Sequence, residues 1–220
     1  MKIIKKELYN NFIKNLDKKK FFLLKVFSNL IFQVFIAYIV LLYAEYKELI
    51  HTKMHFIIVA LLLFVLIFAI SFVKSPFIKF ILFCIFSSLV GLLLSYRLDF
   101  NDKEELELAK KASITTAIIF VYMVLFGFFI VYMGVRLPYQ ISFILFFSLL
   151  IMIIVIFILQ ISGKYSLYRK LISGILIFLF SVFIVYDTYQ ILDRNYGDDF
   201  VSASLDYFLD VINIFSNLNN

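Results

Sequence analysis

The stretch "SVFIVYDTYQILDR", residues 181–194, runs five apolar residues from Val182 to Tyr186 straight into Asp187, then turns apolar again before Asp193 and Arg194. It reads as a hydrocarbon-facing helix that carries a carboxylate near its end. A second stretch, "SLDYFLDVINIF" at 204–215, adds Asp206 and Asp210. What those acids do in so apolar a chain is the question the rest of the sequence must answer.

Composition sets the class. Of the 220 residues 64% are hydrophobic and 16% charged, whereas soluble domains are about 45–50% apolar. Twenty-nine Phe and 14 Tyr against two Pro describe long uninterrupted helices. The formal charge of +6 does not point to nucleic acid, because the cations sit mainly between apolar runs, where they anchor topology or meet anionic lipid. Cys84 is the single cysteine, cannot form an internal disulfide, and lies in an apolar run as packing or lipid-facing filler. No signal peptide is expected, since the first apolar run is too long for one and lacks a small-residue exit.

Six apolar runs, at 21–43, 54–73, 77–96, 113–135, 141–161 and 171–192, each approach the roughly 20 residues a helix needs to cross a bilayer. None alternates as a barrel strand would. Lys25 and Lys79 lie near the ends of their runs and are read as snorkelling cations without function. Residues 1–20 hold seven lysines and form either an interfacial amphipathic helix or a disordered tail. The domain reading is therefore a 1–20 cytoplasmic or interfacial segment and a 21–220 transmembrane domain. The loop at 97–112 mixes acids and bases at helical spacing and is expected to extend a neighbouring helix into water. Basic residues divide ten against nine between the two sides, and the N-terminal cluster tips the orientation to a cytoplasmic N-terminus.

A seventh segment, 201–218, is weaker in hydropathy but ordered in pattern. Ser202, Asp206, Asp210, Asn213 and Asn217 are spaced 4, 4, 3 and 4 apart and fall within an arc of about 80° on a helical wheel. Either this is an amphipathic helix at the interface, or it is a seventh span whose polar stripe faces a hydrated interior. The short polar connection "DRNYGDDF" (193–200) favours the second. Asp187 and Asp206 then lie roughly 9–10 Å from the turn, with Asp210 about 6 Å deeper. Depth alone pairs Asp187 with Asp206 as readily as with Asp210. Carboxylates held together there repel, share a proton, and offer oxygens to a hard cation such as calcium. Too few oxygens gather for a tight calcium site, so any contact is transient.

"VYDTYQIL" and "YFLDVINIF" resemble the last two helices of the Bax inhibitor-1 (transmembrane Bax-inhibitor-motif) family. Tyr186, Asp187 and Thr188 match its Tyr-Asp-Thr signature, and Tyr207, Leu209, Asp210, Asn213 and Phe215 match its final helix. The resemblance implies an all-α integral membrane protein of seven transmembrane helices, the last polar-striped and central. From bacterial relatives it implies a pH-sensitive calcium leak gated by Asp187 and Asp210, which also become the transient calcium contacts. Asp206 becomes secondary, with Asn213, Ser202 and Asn217 as polar lining. Two departures stand out: Phe208 fills a tyrosine position, and the second span lacks the arginine that latches the pair in relatives, leaving Lys74 as a substitute.

Further expectations are no enzymatic activity, no cofactor, no nucleic-acid partner, a monomer crossing the cell (inner) membrane several times, and calcium ions and protons as its partners besides lipid. The rival readings are a non-transporting stress-response or interaction protein and an intramembrane aspartyl protease. The protease lacks its Gly-x-Gly-Asp and Pro-Ala-Leu motifs here. His51 and His55, four apart with Glu48 nearby, have no third histidine and are read as interfacial decoration rather than a zinc site.

Overall fold

A chain this apolar satisfies its backbone in lipid by hydrogen-bonding within helices, and helices are what it forms. A computed structural model describes residues 2–47, 49, 52–96, 102–193, 196 and 198–219, with side chains from residue 12 onward. The helices among them are α1 (Lys2–Tyr46), α2 (Lys53–Phe72), α3 (Pro76–Ser95), α4 (Lys103–Tyr132), α5 (Gln140–Ile161), α6 (Tyr165–Asp193) and α7 (Phe200–Leu218). The first six are long and apolar enough to cross a membrane, so this is a multi-pass membrane protein.

Helix ends follow local chemistry. Thr52 caps α2 by accepting a hydrogen bond from the His55 backbone N–H at 3.3 Å. Val73 and Ser75 are extended, and Pro76 opens α3 at a position where its missing N–H costs nothing. Gly134 and Gly163, at φ of 69° and 67°, turn the chain out of α4 and α5. The charged segment after residue 102 does extend a helix: Asp102 accepts from the Glu104 N–H at 2.8 Å, and α4 begins at Lys103. Of the two alternatives for the lysine-rich segment, residues 2–20 take the helical one, continuous with the first apolar run. α1 runs unbroken through the lysines because they are good helix formers with no Gly or Pro among them. His51 and Glu48 lie outside the described residues.

The chain gathers into two compact units. The first comprises residues 1–21, 112–195 and 209–220; the second comprises 22–111 and 196–208. In the first, α5 packs on α6 around Leu145, Leu179 and Tyr186. A Cβ on Gly127 of α4 would come 2.6 Å from the Thr188 Cβ, so glycine is what lets those helices approach. In the second, α2 packs on α3, and a Cβ on Gly91 would sit 2.2 Å from the Ala37 carbonyl oxygen. Gly134 serves its turn instead, and Gly174 faces open space.

Candidate functional site

The C-terminal half of α6 is where burial concentrates. Ile184, Val185, Tyr186, Thr188, Tyr189, Gln190, Ile191 and Leu192 are all buried, and Asp187 is half-buried among them. The helix is tied locally by Thr188, whose hydroxyl donates to the Ile184 carbonyl at 2.7 Å, and by Tyr189, whose hydroxyl donates to Asp193 Oδ2 at 2.9 Å. Lys19 of α1 donates to the Ile191 carbonyl at 2.7 Å, placing a cation on the last turn, where orphan carbonyls and the helix dipole favour one. Nothing in the sequence singled out Lys19 from its six N-terminal companions.

The polar stripe of α7 is real, and its members are differently engaged. None of the described side chains of α7 is exposed. Asp210 is 4% exposed and belongs, with Asp187, to the first unit. Asp206 belongs to the second, where the Tyr196 hydroxyl donates to its Oδ2 at 3.3 Å. Asn213 and Asn217 donate to the backbone carbonyls of Leu209 and Asn213, each at 2.8 Å. Ser202 is bonded to Asp199, with its backbone N–H to Oδ1 at 3.1 Å and its hydroxyl to Oδ2 at 2.9 Å. Asp199 thus caps α7.

Lys79 departs from expectation. Instead of snorkelling it is 7% exposed, paired with the Asp199 carboxylate and donating to the Ser202 hydroxyl at 2.9 Å. Burial would raise the Asp199 carboxyl, but hydrogen bonds from the Lys79 ammonium and from the Ser202 N–H and hydroxyl hold it below the usual carboxylate range. Lys79 lies in the first turn of α3, and its partner, 120 residues on, opens the helix that carries the acidic stripe, a pairing no local pattern announces.

A second feature went unread. Asn29 and Gln33, four apart on α1, are buried in the second unit. Asn29 donates to the Ser204 hydroxyl, Gln33 to Asn29 Oδ1 at 3.2 Å, and Ser87 to Gln33 Oε1 at 2.9 Å. Gln33 also donates to Cys84 Sγ at 3.5 Å, which makes that cysteine part of a polar seam rather than filler. Thr116 of α4 has its buried hydroxyl without a partner among the described residues.

The departure at Phe208 has a packing reason. It is fully buried, with its ring edge-on to Phe83 at 5.3 Å and Phe86 at 6.1 Å. Neither of these two neighbouring rings offers a tyrosine hydroxyl a strong hydrogen-bond partner against its desolvation. The neighbouring Tyr207 stacks on Phe27 at 5.9 Å.

Against this geometry, the family model described as Inhibitor of apoptosis-promoting Bax1 matches residues 19–220. The chain belongs to the Bax inhibitor-1 family. The match covers the early helices as well as the two motif-bearing ones, so the membership rests on the whole span rather than on 181–215 alone. No curated protein matched the chain. In this Bax inhibitor-1 protein, Asp187 and Asp210 fall in one compact unit while Asp206 falls in the other.

Proposed function

We propose that this Bax inhibitor-1 protein is a pH-sensitive calcium leak whose gate is the Asp187–Asp210 pair. The observation that carries the reading is Asp210: a carboxylate-bearing side chain, 4% exposed, in the middle of α7 and in the same unit as Asp187. An acidic residue at bilayer depth costs at least ~2.5–3.5 kcal/mol on insertion scales, so such positions are seldom kept without use. Two carboxylates within reach share one proton in acid; losing it leaves adjacent negative charge that a hard cation neutralises. Proton and calcium thereby compete for one pair of side chains, which couples flux to pH. The seventh helix spans the membrane enclosed by others, as its lack of exposed side chains favours, with the N-terminus cytoplasmic and the protein monomeric in the cell membrane. No enzymatic step and no cofactor enter.

A non-transporting role in stress resistance is the second reading. It is favoured by Asn213 and Asn217, whose amides bond their own helix. Proteoliposomes loaded with a calcium dye separate the two. The expected result is a leak that changes with pH and loses that response in Asp187→Asn and Asp210→Asn. Flux no greater than empty liposomes at every pH would leave the non-transporting role standing.

A further inference from the structure

We infer that Lys79 is a positioning residue for α7, clasping its first turn to α3 through Asp199 and Ser202 so that the helix bearing Asp210 is held in its resting placement. The inference rests on the leak reading above for its functional consequence, and on the geometry alone for the clasp.

A lysine buried to 7% exposure is costly unless paired and fully hydrogen-bonded. Here the ammonium is paired with the Asp199 carboxylate and donates to Ser202 Oγ at 2.9 Å. Those two acceptors are not independent surface groups. Asp199 caps α7 through the Ser202 N–H, and the Ser202 hydroxyl bonds back to Asp199 Oδ2. One cation therefore engages the capping unit of α7 as a whole. Removing the cation leaves a half-buried carboxylate whose remaining partners all lie on its own helix, so the cap survives while its tether to α3 is lost.

The clasp is distinct from a proton switch. Among the described residues, the charged and titratable groups around Asp199 are Lys79 from α3, Asp206 about two turns along α7 with the Tyr196 hydroxyl on it, the neighbouring Asp198, and Lys25 of α1 over the Phe200 ring at 6.0 Å. Hydrogen bonds from the Lys79 ammonium and from the Ser202 N–H and hydroxyl hold the Asp199 carboxyl below the usual carboxylate range, so the clasp is a tether and the pH response is left to the Asp187–Asp210 pair.

This separation makes the test specific. In calcium-dye proteoliposomes, Lys79→Met should raise the leak at neutral pH several-fold and leave the midpoint of the pH response unmoved, while Lys79→Arg restores wild-type behaviour. Hydrogen exchange on the same purified proteins gives a readout that needs no flux. Amides of residues 200–204 should exchange at least tenfold faster in Lys79→Met and Asp199→Asn, with α5 unchanged. Unaltered exchange at 200–204 in both variants overturns the clasp, as does a shifted pH midpoint with unchanged neutral leak. If wild-type protein carries no flux but exchange at 200–204 accelerates, the leak reading fails and the clasp stands.

Discussion

α5 and α7 differ by three residues in length and occupy opposite environments. α5 has one buried residue, Leu145, and presents the rest of its Ile, Phe and Leu side chains outward or partly so. α7 has no exposed side chain among its described residues, yet it holds two Asp, two Asn and three Ser. In water the more apolar helix would be the hidden one. In a bilayer the solvent is hydrocarbon, so the apolar helix faces out and the polar one is enclosed, where protein groups can satisfy it. For these two helices, exposure follows apolar character and enclosure follows polarity, the reverse of the order in a water-soluble protein.

That contrast can be broken by truncation. Phe208→Ala on α7 removes a fully buried ring from the Phe83–Phe86 cluster and should cost about 3–5 kcal/mol. Phe157→Ala on α5, where the ring is 62% exposed, should stay within about 0.5 kcal/mol. Unfolding of both variants in bicelles checks this; equal losses would erase the distinction between the two helices.

Glycines sharpen it further. Gly91→Val drives a branched side chain into the Ala37 backbone and should destabilise by about 1–3 kcal/mol, since the obstacle is a carbonyl that cannot rotate away. Gly174→Ala, with nothing within 4 Å of the added Cβ, should instead gain up to about 1 kcal/mol from helix propensity. Thermal unfolding of the pair should show shifts of opposite sign.

The smallest effect concerns acid. Asp199 is held below the ordinary carboxylate value, so its contribution to stability is fully present above about pH 3.9 and is lost as pH falls through the lower folded value. Asp199→Asn should therefore be less stable at neutral pH and lose less on acidification. A stability–pH curve parallel to wild type at every pH would count against the ion pair.

Much of this was written in the pattern of the chain. The six apolar runs become helices within a few residues of their expected limits, except where α1, α4 and α6 begin earlier, at Lys2, Lys103 and Tyr165. The α7 stripe was legible because a 3.6-residue period needs no partner to be seen. What the sequence withheld was engagement. Ser202 and Asp206 share a stripe with Asp210, yet Ser202 is spoken for by Lys79 and Asp199, and Asp206 by Tyr196. Lys79 misled for the same reason: a cation near a helix end snorkels by default, and only a carboxylate 120 residues away turns it inward. Asn29 and Gln33 likewise gain meaning from Ser204 and Ser87, which no periodicity on α1 could supply.

The sequence distance between Lys79 and Asp199 has a consequence for how the protein is made. α3 leaves the ribosome 120 residues before its counter-ion exists, which at about 5–20 residues per second is on the order of 6–24 s. Until Asp199 is made, the Lys79 ammonium lacks the carboxylate that accompanies it in the finished protein, so the pairing that offsets its burial can form only once the start of the last helix exists.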